Sequence, residues 1–247
     1  MTVFAETCLW GLIGGVAFLY SSVGHAGASG YLAVFSLVGW APAQTRPLVL
    51  LLNVLVATVT SLKFYRSGHF RPALFIPLTL LSIPASMLGG YVRIPTPLLS
   101  VFLGAVLLFS ALWLLTGKRE PAECSPPGKS AFLLAGGAIG FLAGASGTGG
   151  GIFLSPLMIY LRWAKLAEIS AIAAPYVLVN SVAGLVGLNL SGFSLPAGWL
   201  PYVLAAVVGG AAGSSFGIRL LNGRTIQILL AAVLSIAAGK LFLSFRG

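Results

Sequence analysis

Apolar stretches separated by short polar or glycine- and proline-rich segments run through the whole chain. Most of them are close to the ~20 residues that a helix needs to cross ~30 Å of hydrocarbon. The apolar windows lie near residues 9–38, 46–62, 72–92, 97–116, 131–161, 169–188, 198–218 and 225–243. The pattern predicts an all-α polytopic membrane protein whose core is the packed helix bundle itself.

Glycine interrupts two of these windows. The interruptions are residues 24–30 (GHAGASG) and 144–150 (GASGTGG), which we call the first break and the second break. Backbone freed by such a break survives at membrane depth only where it is buried in protein or lines a polar cavity. Matched breaks in the two halves of a transporter are the best sequence indication of its binding site.

The two halves of the chain also share shorter motifs. Ser67-Gly68 with Pro72-Ala73 matches Ser191-Gly192 with Pro196-Ala197, Gly89 matches Gly213, and Asn53 pairs with Asn180. These matches predict an N-terminal transmembrane repeat (1–117), a polar linker (118–129) and a C-terminal transmembrane repeat (130–247). Each repeat has four segments and begins with a glycine-broken helix pair. Small-residue spacings such as Gly140 to Gly144 and Gly209 to Gly213 are interpreted as helix packing.

The distribution of basic residues predicts the topology, because short cytoplasmic loops are enriched in Lys and Arg. If each broken segment crosses the membrane, the 14 basic residues divide eight against six between the two sides. If each broken segment dips in and returns on the same face, the 14 divide ten against four. The count favours the re-entrant arrangement, which turns the second repeat upside down relative to the first. Both termini are then expected on the non-cytoplasmic side.

Composition excludes a soluble domain and narrows the chemistry. Hydrophobic residues make up 58% of the chain, charged residues 7%, and the mean hydropathy is +1.02. The net charge of +10 comes mainly from loop residues, as the positive-inside bias predicts, and attraction of an anion is the lesser explanation. No aspartate is present and no glutamate lies in an apolar window, so a buried carboxylate site for a cation is not expected. Basic residues are too dispersed for a nucleic-acid partner.

The breaks themselves predict an anion site. A half-helix that starts at a break presents free N–H groups and the positive end of its dipole. Glycines bring these amides close to a ligand, and serine and threonine add hydroxyl donors. The predicted substrate-binding residues are His25, Gly27, Ser29, Gly30, Asn53, Ser146, Gly147, Thr148, Gly149, Gly150 and Asn180. The alternative is that the glycines serve only helix crossing and the hydroxyls only cap half-helices.

Several of these residues have two interpretations. His25 could donate to an anion or carry a proton, or it could be a neutral histidine bonded to a nearby carbonyl. Asn53 and Asn180 either brace the glycine turns or face the ligand. No Lys or Arg lies within either break, so Arg46 and Arg93 are the rival charged ligands, reaching inward from helix ends.

Enzyme signatures are absent from the sequence. There is no HExxH, the GxSxG at 213–217 lies inside an apolar window rather than at a nucleophile elbow, and there is no acid to complete a catalytic triad. The run Gly128-Lys129-Ser130 resembles the end of a phosphate-binding loop, but Glu123 stands where that loop requires glycine. No enzymatic activity, cofactor or metal site is therefore predicted.

The second break and the residues after it resemble the TauE/SafE group of sulfite exporters, also called TSUP transporters. The resemblance covers nearly the whole chain and is carried by GASGTGGGIFLSPLM at 144–158, with Pro156, and by its degenerate partner GHAGASGYLAVFSLV at 24–38. In this alignment Ser29 and Tyr31 stand opposite Gly149 and Gly151, and Ser36 replaces the proline.

The resemblance implies transport of sulfite, sulfonates or related organosulfur anions across a bacterial inner membrane. The expected partners are therefore a small anionic substrate and the lipid bilayer. The alternative is a membrane-embedded accessory or sensor protein whose breaks are purely structural.

Overall fold

The computed structural model describes residues 3–40, 42–92, 124–190, 198–220 and 223–243, with scattered positions between 104 and 115. All regular structure in these ranges is α-helical, which confirms the all-α part of the predicted fold. The helices are α1 (Val3–Ser22), α2 (Ala28–Leu37), α3 (Pro42–Arg66), α4 (Pro72–Tyr91), α5 (Lys129–Ser146), α6 (Gly151–Tyr160), α7 (Leu166–Leu190), α8 (Leu200–Leu220) and α9 (Gly223–Leu243). The positions described between 104 and 115 are helical as well.

Length and composition make this a multi-pass membrane protein. Within the described ranges, five helices are long and apolar enough to cross a bilayer, namely α3, α4, α5, α7 and α8. Proline begins α4, where the missing N–H has no helical partner to lose, and Lys63 and Arg66 end α3, where basic residues complement the helix dipole. Of the predicted linker 118–129, residues 118–123 lie outside the described part of the chain.

Glycine stripes hold the longest helix contacts together. Gly136, Gly140 and Gly144 of α5 lie against the backbone of Leu78, Ser82 and Ser86 of α4, and Gly209, Gly213 and Gly217 of α8 lie against Gly14, Phe18 and Ser22 of α1. A Cβ on any of these six glycines would collide with a backbone carbonyl of the neighbouring helix. The interpretation of these glycine spacings as helix packing is therefore confirmed.

The registers of these contacts give the helix directions. Residue numbers rise together along the α1–α8 and α4–α5 contacts, so each pair runs in one direction. The same holds for α3 and α8, where Val56 lies against Gly210 and the Lys63 ammonium donates to the carbonyl of Ala211. It also holds for α4 and α7, because the residue numbers of their contacts rise together: Ser82 with Tyr176, Ser86 with Asn180, and Gly90 with Gly184.

By contrast, α3 and α7 run in opposite directions. Asn53 of α3 bonds to Ser181, whereas Leu50, which precedes Asn53, lies against Gly184, which follows Ser181. Thus α1, α3 and α8 point one way, and α4, α5 and α7 point the other way.

The two halves exchange their first helices. The first helix of the N-terminal half, α1, packs on α8 of the C-terminal half, and α5 packs reciprocally on α4. In the same manner α3 packs on α8 while α7 packs on α4. The core therefore forms between the halves rather than within each of them.

Each break turns the chain back on itself. After the first break, Gly30 of α2 lies against Val16 and Tyr20 of α1, so α2 starts back alongside α1. After the second, Gly150 lies against Ile139 and Ala143 of α5. The returning helices α2 and α6 have 10 residues each, about 15 Å, which is half the thickness of a hydrocarbon core.

Backbone hydrogen bonds at the breaks correct the sequence alignment of the repeats. His25 N–H donates to Tyr20 O five residues earlier, and Thr148 N–H donates in the same way to Ala143 O. The amides that start the next helices are Tyr31 to Gly27 O and Leu154 to Gly150 O. His25 therefore corresponds to Thr148 and Gly27 to Gly150, so the pairing of Ser29 with Gly149 is off by three residues. The error arises because glycine recurs every third position in both breaks.

The pairing of Asn53 with Asn180 is corrected in the same way. Gly89 and Gly213 both pack on the first helix of the opposite half, and Ser86 and Gly210 precede them by the same spacing. Ser86 contacts Asn180, whereas Gly210 contacts Val56. Asn180 thus corresponds to Val56, one helical turn after Asn53.

Candidate functional site

The two breaks meet at the start of α6. His25, in the first break, lies against Gly151, and its Nε2 atom is 3.2 Å from the Oγ of Ser155. Both side chains are buried, with 2% of His25 and 1% of Ser155 exposed. The contact joins the first half of the chain to the second at the point where glycines interrupt the helices of both halves.

The hydrogen bonds of His25 define its tautomer. Its Nδ1 atom is 3.1 Å from the carbonyl oxygen of Val23, which can only accept, so Nδ1 carries the proton. If the ring is neutral, Nε2 is then an acceptor for the hydroxyl of Ser155. The contact with the Val23 carbonyl fits a neutral histidine bonded to a nearby carbonyl and is equally one that a protonated ring makes, so both interpretations of His25 stay predictions.

Asn53 of α3 contacts the second break directly. Its amide nitrogen donates to the carbonyl of Thr148 and to the Oγ of Ser181, both at 3.3 Å. The side chain is fully buried, and its Oδ1 atom has no hydrogen-bond partner among the described residues. Gly149 makes room for this contact, since a Cβ there would lie 2.9 Å from the Asn53 nitrogen. Asn53 therefore braces the turn and keeps one acceptor unused.

The N-terminus of α6 lies between His25 and Asn53. Gly150 precedes the helix with a φ of 85°, and no side chain caps it. The first N–H groups of a helix lack intrahelical partners and carry the positive end of the dipole. Gly151, the first residue of α6, faces both His25 and Val177. The main-chain amides of one buried helix start, next to Asn53 and His25, are thus a suitable arrangement for an anion.

The hydroxyls of the second break are partly used by the fold. Ser146 donates to the carbonyl of Leu142 at 2.6 Å, and its oxygen is 2.8 Å from the Oγ1 of Thr148. Ser146 therefore accepts from Thr148 while it caps its own helix, so neither hydroxyl is fully free to meet a ligand in this conformation.

Arg46, one of the two rival ligands, reaches the second break from α3. Its Nη2 atom donates to the carbonyls of Gly89 and Gly144, and its side chain lies against Gly147. These carbonyls belong to the last turns of α4 and α5, where a cation satisfies unpaired acceptors and the helix dipole. The contacts are those of a double helix cap. Arg93, the other rival, lies outside the described residues.

Four predicted site residues lie away from this point. Gly27 is covered by the ring of Tyr31, and Gly30 packs on α1. Ser29 shares a 2.7 Å hydrogen bond with the hydroxyl of Tyr20. Asn180 accepts from Ser82 at 2.5 Å and donates to its own helix at the carbonyl of Tyr176. Their contacts serve packing between helices.

The backbone of Gly150 belongs to the site, but the direction of a side chain at this position does not. Its backbone leads into α6, but a Cβ on it would meet Ala143, Tyr176 and Ile139 rather than the site.

Three residues that contact the site were missed by the sequence analysis, namely Ser155, Val177 and Ser181. Ser155 stands within the glycine-rich run at 144–158, and Ser181 directly follows Asn180, so both were next to residues that were singled out. Their side-chain directions depend on packing between the halves, which the sequence pattern does not carry. Among the residues that the structure describes, no group of three His, Cys, Asp or Glu could hold a metal ion.

Comparison with known proteins gives two matches. A family model described as "Sulfite exporter TauE/SafE" matches residues 7–241. The "Probable membrane transporter protein y4hK" of Sinorhizobium fredii is 34% identical over 186 residues, which cover 73% of this chain and 75% of that protein. No solved structure matches the chain.

Proposed function

Because the chain belongs to the TauE/SafE sulfite exporter family, we propose that this multi-pass membrane transporter carries a small anion, namely sulfite, a sulfonate or a related organosulfur anion. Its proposed location is a bacterial inner membrane. The observation that carries the proposal is the uncapped start of α6, buried beside Asn53 and His25. In this position amide N–H groups can bind a negative charge without a basic side chain.

An anion is favoured over a cation by the charges around the site. The glutamates of the chain are residues 6, 120, 123 and 168. Glu168 is engaged by Arg71 at 2.7 Å near the start of α7, and Glu6 lies in the first turn of α1. Among the described residues, a cation at the breaks would therefore have only carbonyl, hydroxyl and amide oxygens as partners, whereas an anion finds oriented N–H groups.

We further propose that the repeats are inverted and that each broken segment is re-entrant. The helix directions support this, since α1 and α3 run one way and α5 and α7 the opposite way. Because α1 and α3 share a direction, the segment between them must return to the face from which α1 started. With this arrangement the ten-to-four division of basic residues agrees with the positive-inside rule.

The contact between the breaks suggests how the substrate passes. The first break is reached from one face of the membrane and the second from the other, and they meet through His25, Gly151 and Ser155. We propose that this contact separates and re-forms as the binding site is exposed to alternate sides. Rocking of one repeat against the other around a fixed site is the usual form of such a change.

A flux assay tests the transport proposal. Proteoliposomes that contain the purified chain are loaded with sulfite, thiosulfate, sulfate or methanesulfonate in turn. Movement of each anion across the membrane is measured and compared with that in vesicles without protein. We expect saturable flux of at least one of the four. Absence of flux for all four, in correctly inserted protein, would favour the accessory or sensor alternative.

The topology has its own test. In a background with Cys8 and Cys124 replaced by serine, single cysteines are placed by Gln44→Cys and His69→Cys and labelled with an impermeant thiol reagent. We expect position 44 to react from the side of the N-terminus and position 69 from the opposite side. Labelling of position 44 across the membrane from the N-terminus contradicts the re-entrant arrangement.

A further inference from the structure

The unused acceptor of Asn53 gives information about the substrate that the family does not. The carbonyl of Thr148 can only accept a hydrogen bond, so the amide atom that faces it must be the nitrogen. This fixes the orientation of the amide. The other donor position of the nitrogen is directed to Ser181. Oδ1 is therefore the one polar atom of this side chain that remains without a partner in the described structure.

Such an atom is expensive to bury. A carbonyl oxygen removed from water without a donor loses its full hydration, whereas a paired one loses little. Asn53 is fully buried and lies beside Gly149, two residues before the uncapped start of α6. Buried polar atoms left unpaired in native structures call for an explanation, and a ligand donor is one that fits a binding site.

We infer that the substrate of this transporter is an anion that also carries a hydrogen-bond donor, which it presents to the Oδ1 of Asn53 while its anionic oxygens face the amides of α6. The inference rests on the proposed function and narrows its substrate class. The donor is either a protonated oxygen on the anionic group itself or a hydroxyl or ammonium group elsewhere on the molecule. A fully deprotonated oxyanion without such a group leaves Oδ1 unpaired and binds less tightly.

Two matched pairs of ligands separate these sources. Methylphosphonate monoanion and methanesulfonate share charge and shape, but only the first has a hydroxyl on its head group. Isethionate and ethanesulfonate differ by a hydroxyl at the far end. Binding of each to the purified full chain is measured by calorimetry at one mildly acidic pH. We expect the donor-bearing member of at least one pair to bind roughly two- to tenfold more tightly, the effect of one net hydrogen bond.

Three variants test whether the preference comes from Asn53. Asn53→Leu removes the acceptor, and we expect the ratio of affinities within the pair to fall to about one. Asn53→Asp keeps an acceptor, so the ratio persists although charge repulsion weakens every affinity. Asn180→Leu is the matched control, because that amide is bonded to Ser82 and Tyr176, and its ratio should equal that of the unaltered chain. A ratio is insensitive to partial loss of folded protein.

The outcomes distinguish this inference from the function on which it rests. Equal binding within both pairs, or a preference that survives in Asn53→Leu, overturns the inference while the anion site stands. Failure of all four ligands to bind the folded chain, together with absence of sulfite and thiosulfate flux in the proteoliposomes, overturns the proposed function and the inference with it. A preference in the unaltered chain that disappears only in Asn53→Leu supports both.

Discussion

The first and second breaks have the same pattern of backbone hydrogen bonds but differ in the side chains that pack into them. At corresponding positions the first break has His25 and Ala26 where the second has Thr148 and Gly149. In the first break the Tyr31 hydroxyl of the same half donates to the carbonyl of Ala26 at 2.5 Å, while His25 contacts Ser155 of the other half. The second is held by side chains from the other half.

The difference follows from two glycines. Gly149 and Gly151 stand where the first break has Ala26 and Ala28, and the missing methyl groups leave space for Asn53 and His25. Both halves thus have the turn, and the second break has space for the side chains of Asn53 and His25. We therefore expect the substrate to bind mainly at the second break, with the first break bracing it.

The largest expected effect comes from filling the space at Gly149. In Gly149→Val, the new Cβ lies 2.7 Å from the Oγ of Ser181 and 2.9 Å from the Asn53 nitrogen, at a φ of +73°. We expect flux in proteoliposomes to fall below detection. Gly68→Val is the matched control, since Gly68 has a φ of +79° with nothing within 4 Å, so it carries the backbone strain of ~1–3 kcal/mol alone. Normal flux in well-inserted Gly149→Val would refute the assignment.

A smaller loss is expected at Gly151, where the steric effect acts without backbone strain. In Gly151→Ala the methyl group would lie 2.6 Å from Val177 Cγ2 and 2.9 Å from His25 Cδ2. Overpacking of ~1–3 kcal/mol corresponds to a roughly five- to hundredfold loss of affinity. The double variant Gly151→Ala/Val177→Ala should recover part of it. The reverse change in the first break, Ala28→Gly, should leave affinity unchanged, and a loss there equal to that of Gly151→Ala would remove the distinction between the breaks.

Replacement of Arg46 should lower the stability of the protein more than its affinity for the substrate. Arg46→Gln removes charged hydrogen bonds to the ends of α4 and α5, which contribute about 1.5–3 kcal/mol each. We expect a lower melting temperature and a change in substrate affinity of less than about threefold. Thermal unfolding and calorimetry on the same preparation separate the two effects. Abolished binding in a variant that melts normally would make Arg46 a ligand and contradict the role of the helix dipole.

The smallest effects come from single neutral hydrogen bonds, one at each break. Ser29→Ala removes the bond to Tyr20, and Ser155→Ala removes the bond to His25. Each should lower stability by about 0.5–1.5 kcal/mol. Only Ser155→Ala should change the transport rate, because its bond joins the two halves. A similar rate change in both variants would indicate that the two breaks contribute equally.

The sequence predicted the elements well because the bilayer imposes a length on every apolar segment. Windows such as 72–92 and 225–243 match α4 and α9 within two residues. The glycine stripes were also predictable, since close helix approach in lipid requires small residues. Both features depend on local composition, which a single sequence contains in full.

The side chains of the site could be predicted only in part. Asn53 was singled out correctly as a residue near the breaks, but Asn180, one turn out of register with it, contacts Ser82 instead. Arg46 was expected to reach inward, yet its double contact with two helix ends was not foreseen. These positions depend on how one half docks on the other, and a shift of one turn leaves the hydropathy pattern unchanged.

The exchange of first helices between the halves has a consequence for biogenesis. When α1 leaves the ribosome, the helix whose Gly209, Gly213 and Gly217 fit against it is still about two hundred residues from being made. During that interval α1 must rest against lipid or an insertion factor. Completion of α8 is then the step that commits the chain to its final structure, so truncations before that helix should be cleared by quality-control proteases even though most of the spans are present.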